Sequence, residues 1–280
     1  MSFTFIDTHV HFWDQRVLPY PWLAEVPAIA GPHTPAELLA EAKDYFPSQI
    51  VFVECGAPAC DEVQWIAELA AREPRLTAIV AKLAVNAGPA TTLALAGLKR
   101  HPLVRGVRHI FQDEPDPRFC VAPAFLAGVR AVGVAGLSFD ICCRHRQLAA
   151  VVELVRECPD TRFILDHFGK PGIKSGLLDP WREQISSLAA FPNVDCKLSG
   201  LITEADHATW TSADLKPYVD HVLAAFGPGR VLFGGDWPVA KLAGDYPRWL
   251  DAARNLVSHL SSAQQAAIFA GNARRVYRLP

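Results

Sequence analysis

Along the 280-residue chain, short apolar runs alternate with stretches whose apolar residues recur at helical spacing. Eight runs occupy residues 3–8, 50–54, 77–83, 104–110, 137–141, 162–166, 194–198 and 231–235. IVFVE, RFILD and VLFGG are apolar almost throughout, as expected of parallel strands covered on both faces. Between the runs, Val63, Ile66, Ala67 and Ala70 mark one face of a helix, and Leu148, Val151, Val152 and Val155 mark another. Thr34-Pro35-Ala36-Glu37 reads as a capping box with proline in the first helical position. Further helices are predicted at 214–226 and 246–258, and Ser262 with Gln265 is predicted to cap a last helix ending in FAGNARRVYRL. Eight β-then-α units, with no linker, repeat or low-complexity segment, predict an α/β fold: a (β/α)8 TIM barrel forming one domain over residues 1–280. The alternative is an open doubly wound sheet; the first β-to-α turn lacks the GxGxxG of its dinucleotide-binding form.

Half the residues are hydrophobic, enough for a large core, and the net charge is −2. Such a balance, with no basic stripe, argues against nucleic acid or an anionic membrane as partner. No apolar run approaches the roughly 18 residues of a membrane span. The N-terminal MSFTFIDTHVHFWD lacks the positive and apolar regions of a signal peptide. Seven cysteines, none in CxxC spacing, read as reduced thiols of a cytoplasmic protein. The sequence carries no signal for an oligomeric state.

In a barrel of this kind the chemistry gathers at the C-terminal ends of the strands. The first run leads into His9-Val10-His11, and residues i and i+2 of a strand share a side, so both imidazoles can face one metal ion. The bland alternative is two histidines bonded to neighbouring carbonyls. Glu54 ends the second run, as a ligand, a hydroxyl binder or half of a rim ion pair. Arg108 on the fourth run offers paired donors to a carbonyl or carboxylate, with His109 beside it and Gln112 just beyond. The sixth run ends in Asp166-His167, the seventh supplies Lys197 and Ser199, and the eighth ends in Gly234-Gly235-Asp236-Trp237. Asp236 can accept a proton from attacking water. Trp13, Tyr20, Trp22 and Trp237 form either an aromatic wall over a sugar-like ring or a packed loop; Glu54, Gln112 and Lys197 are candidates to bind hydroxyls.

Taken in order, IDTHVHFWD, GVRHIFQDEPDPRF, FILDHFGKP, VLFGGDWPV and GNARRVYRL resemble the amidohydrolase superfamily over essentially the whole chain. They are most similar to its sugar-lactonase branch, the fuconolactonases and rhamnonolactonases, and to the 2-pyrone-4,6-dicarboxylate lactonases. The resemblance implies opening of a sugar-derived (aldono) lactone. Asp236 would be the general base, Arg108 would polarise the carbonyl with His167, and His9, His11, His167 and Asp236 would be metal ligands. His109 and protonated Asp236 are the two candidates for the leaving-group acid. The strand-five histidine of metal-rich members is replaced by Asp140, so the expectation is one zinc ion or no essential metal. A pyrone-dicarboxylate lactonase, a metal-dependent decarboxylase and a non-catalytic sugar-binding barrel are the alternatives.

Overall fold

A computed structural model describes residues 3–280; Met1 and Ser2, the start of the N-terminal segment read above, lie outside them. Eight strands pair in parallel and in chain order. They are β1 Ile6–Val10, β2 Gln49–Val53, β3 Leu76–Lys82, β4 Val104–Ile110, β5 Ser138–Cys142, β6 Arg162–Leu165, β7 Val194–Leu198 and β8 Val231–Phe233. Helices run between them on the outside, giving the (β/α)8 barrel. The strands are buried almost throughout, so β2 and β3 are apolar nearly without alternation, while β5 and β7 carry buried Ser138, Asp140, Asp195 and Lys197 among their apolar residues. β1 starts later than the 3–8 run: Phe3 and Phe5 are apolar because they stack on each other, with Phe3 edge-on to Phe269 near the C-terminus.

The ring closes between β8 and β1 just past the end of β8. Val10 bridges Trp237 in parallel, His11 N–H donates to Trp237 O at 2.7 Å, and Asp236 N–H donates to His9 O at 2.7 Å. Asp7 staples the same seam. Its carboxylate accepts from the backbone N–H groups of His9 (3.0 Å) and Gly235 (2.7 Å) and from the Tyr246 hydroxyl (2.8 Å). Burial pushes the Asp7 carboxyl up to about 6, against the lowering effect of those hydrogen bonds.

Ile6, Val51, Val53, Ala78, Val80, Ile164 and Leu232 form an inner core with Val276, Tyr277 and Leu279, so the C-terminal helix Asn272–Tyr277 plugs the barrel. A larger cluster joins the outward strand residues to the surrounding helices. Thr34 and Glu37 form the expected capping box on Pro35–Ala42. The last cap differs by one residue: Ser261, extended at φ −60° and ψ 155°, accepts from Gln264 N–H, and the helix begins at Ser262. No helix among the described residues is long and apolar enough to cross a membrane.

Candidate active site

His9, His11, His167 and Asp236 converge at the C-terminal end of the barrel. A register shift against β2 between Asp7 and Val10 lets Ile6 and His9 both face inward, while Val10 joins the outer core. His167 stands in a left-handed turn after β6, with φ 53° there and at Phe168. An added Cβ on Gly200 would collide with the His167 imidazole, so only glycine lets this turn approach so closely. Asp236 itself holds φ 55°, a region uncommon for a residue with a side chain. Its Oδ1 lies 3.5 Å from His11 Nε2, 3.7 Å from His9 Nε2 and 4.0 Å from His167 Nε2.

Each imidazole is held from behind. His11 Nδ1 donates to Val53 O at 2.8 Å, and His167 Nδ1 pairs with Ser199 Oγ at 2.8 Å. His9 Nδ1 meets Lys197 Nζ at 3.2 Å. Burial lowers His167 to about 4, against the pull of Asp236 and Asp166. Burial would raise the Asp236 carboxyl, but the three surrounding histidines outweigh it and hold it below the usual carboxylate range.

Above these groups opens a cavity of about 430 Å³, lined by His11, Trp13, Trp22, Glu54, Arg108, Gln112, Lys170, His167 and Asp236, among others. Trp13 is fully buried with its indole N–H on Ile29 O and Gly31 O, so the expected stacking role passes to Trp22, which is partly exposed, donates to Cys55 O and packs edge-on against Trp13. Arg108 is buried and largely committed: Nε donates to Glu54 Oε1 at 2.8 Å, Nη2 to Glu54 O at 2.7 Å, and Nη1 to Asp166 Oδ2 at 3.2 Å. Glu54 is therefore the holder of Arg108 before it is anything to a ligand.

Several expectations need correction. Lys197 lines no part of the cavity; it is fully buried within the barrel between Asp140, Asp166 and His9. His109 faces outward, as its alternation with Arg108 requires. Its Nδ1 accepts from Val85 N–H and its ring packs against Phe119 and Phe125. Trp237 is buried behind the rim with its N–H on Glu41, and Tyr20 is buried outside the cavity lining. Asp166, Ser199 and Lys170 also stand at or around the site, though none carried a predicted role. The signal for Asp166 was present, as a carboxylate at the end of the strand-like run RFILD.

The family model for amidohydrolases matches residues 6–279. The chain belongs to the amidohydrolase family. An L-fucono-1,5-lactonase of Burkholderia multivorans is 36% identical over 98% of this chain and 96% of its own length. An L-fucono-1,5-lactonase of Burkholderia ambifaria is 33% identical over 98% and 95%. The crystal structure of a Burkholderia multivorans amidohydrolase with bound Zn superposes with a TM-score of 0.90 at 33% identity, covering 99% of this chain and 100% of that one.

The donor set of this amidohydrolase fits a divalent ion. His9, His11 and Asp236 each offer a ligand atom, all within 4.8 Å of one another. Ligand atoms of a tetrahedral zinc site with bonds near 2.0–2.1 Å stand about 3.3–3.4 Å apart, close to the 3.5 and 3.7 Å from Asp236 to the two imidazoles. A second grouping of His9, Asp166 and His167 is chemically poorer, because Lys197 and Arg108 already occupy Asp166.

Proposed function

We propose that this amidohydrolase opens the ring of a sugar-derived lactone, with Asp236 as general base. The observation that carries the reading is the single carboxylate ringed by three imidazoles at the floor of an aromatic and polar cavity. The cavity's volume, about 430 Å³, lies within the usual range of small-molecule sites. The similarity to two fuconolactonases supports it.

Ionised Asp236 takes a proton from water as the water oxygen bonds to the lactone carbonyl carbon. The carbonyl π pair moves to oxygen. His167, and Arg108 through its charge rather than a free fork, stabilise that oxyanion. When the tetrahedral centre collapses, the ring C–O bond breaks. The proton returns from Asp236 to the departing ring oxygen, since His109 lies outside the cavity. The product is a hydroxy acid. A divalent ion on His9, His11 and Asp236 would supply Lewis acidity and lower the pKa of bound water.

Trp22, backed by the buried Trp13, stacks on the sugar ring, and Gln112 and Lys170 bind hydroxyls. A dicarboxylate substrate fits less well. Of the two cations lining the cavity, Arg108 is already paired, and Lys170 has Glu204 at 3.8 Å. We place the enzyme in the cytoplasm; its seven unpaired cysteines support a reducing compartment. A panel of aldonolactones against 2-pyrone-4,6-dicarboxylate, read with a pH indicator, tests the proposal. Acid release from a sugar lactone supports it. Release from the pyrone alone, or from neither, refutes it.

A further inference from the structure

Lys197 is fully buried within the barrel, and an ammonium has three protons to place. Among the described residues it donates to two acceptors, Asp140 Oδ2 at 2.6 Å and His9 Nδ1 at 3.2 Å, and stands in ion-pair contact with Asp166 Oδ1 at 2.9 Å. A neutral imidazole accepts at one nitrogen and donates at the other. If His9 Nδ1 accepts from Lys197, the ring proton sits on Nε2. The opposite tautomer would send Nδ1–H to Asp166 Oδ1 at 3.4 Å and let Nε2 accept from Arg108 Nη1 at 3.4 Å. Both contacts are longer, and one Lys197 proton would then point at an N–H in a dry interior, where it carries its full desolvation penalty. Arg108 needs no help from His9, because Nη1 already has Asp166 Oδ2 at 3.2 Å.

We propose that Lys197 is a positioning residue that holds His9 as the Nε2–H tautomer, so that His9 presents a hydrogen-bond donor to Asp236. His11 is the reverse case: its Nδ1 faces the backbone oxygen of Val53, which can only accept, so its Nε2 carries the lone pair. The two histidines of one HxH pair thus divide into a donor and an acceptor. The His9 donor stands 3.7 Å from Oδ1 of Asp236, the carboxylate that lines the cavity, while His9 itself is fully buried and acts on substrate only through that carboxylate. Its catalytic use rests on the lactonase reading; the tautomer itself does not. Metal ligation by His9 Nε2 displaces that proton, so Lys197 weakens a site whose spacing otherwise fits.

Nitrogen-15 NMR of histidine-labelled, metal-free protein without substrate tests this, with His9→Gln and His11→Gln to assign the signals. The expected result is Nε2–H for His9 and Nδ1–H for His11. An Nδ1–H tautomer at His9 overturns the proposal. Lys197→Met combined with Asp140→Asn removes one charge of each sign. In it His9 should switch to Nδ1–H and donate to Asp166. Turnover should fall about tenfold or more with KM within about twofold, and zinc binding by calorimetry should tighten about tenfold. A folded double variant with wild-type tautomer and zinc affinity also overturns it. If that variant does not fold, the wild-type spectrum decides alone. The Nε2–H tautomer without any lactone hydrolysis would sink the lactonase reading and leave the assignment standing.

Discussion

Asp236 and His167 lie 4.0 Å apart at their nearest polar atoms, and the site moves both pKa values downward. At neutral pH the pair is therefore a carboxylate beside an uncharged imidazole, the state a general base requires. We expect kcat/KM for the lactone to stay level from pH 7 to about 5 and to fall as pH drops through about 4, where His167 takes up a proton. An acid limb centred near 6.5, the ordinary histidine value, would contradict this. The same group affects stability. Its folded value of about 4 lies below the ordinary 6.5, so the stability it contributes is full above 6.5 and is lost as pH falls from there through 4. Asp7 acts in the opposite sense. Its value is raised from 3.8 to about 6, so its contribution is full below 3.8 and is lost as pH rises through 6.

Asp7 belongs to the seam between β1 and β8, and that element makes a counterintuitive expectation. Asparagine at 7 keeps an oxygen for the two backbone N–H groups and mimics the protonated acid. By urea denaturation at pH 8, Asp7→Asn should be at least as stable as the wild type, whereas Asp7→Ala should lose about 1–3 kcal/mol. Equal losses in both variants would show that charge at Asp7 is not the issue. In the turn after β7, Gly200→Ala should push the His167 imidazole out of place, costing about 1–3 kcal/mol of stability and most of the turnover. Turnover within a factor of two of wild type would mean that His167 is not needed where it stands.

These elements also show what could be read beforehand. Strands buried on both faces are rich in apolar residues, unbroken after the first residue in β2 and β6 and interrupted by charges in β4, β5 and β7, and seven of the eight were legible within about two residues; the HxH pair followed from simple alternation. β1 was misplaced because Phe3 and Phe5 are apolar for a different reason, their packing with Phe269. His109 was assigned chemistry by residue type, although alternation with Arg108 already sent it outward. Lys197 and Asp166 were visible as charged residues on strand-like runs, but what they do was not, because it depends on partners across the barrel, Asp140 and His9 among them.

At the scale of the whole molecule, the charged layer inside the barrel joins the reactive rim to its plug. Tyr277 on the last helix donates its hydroxyl to Asp140 Oδ2 at 2.6 Å, and Asp140 holds Lys197. Tyr277→Phe leaves that oxygen one donor short and should lower stability by about 1–2 kcal/mol, seen as a lower thermal midpoint. An unchanged midpoint would show that the plug is held by apolar packing alone. In the proposed reaction one carboxylate, brought among three imidazoles by closure of the ring, removes the proton from water. The most direct measurement is the turnover of Asp236→Asn on the best sugar lactone, with circular dichroism to verify that it is folded. The expected loss is about 10²–10⁴-fold in kcat; a folded variant that opens the lactone at the wild-type rate would show that Asp236 is not the base.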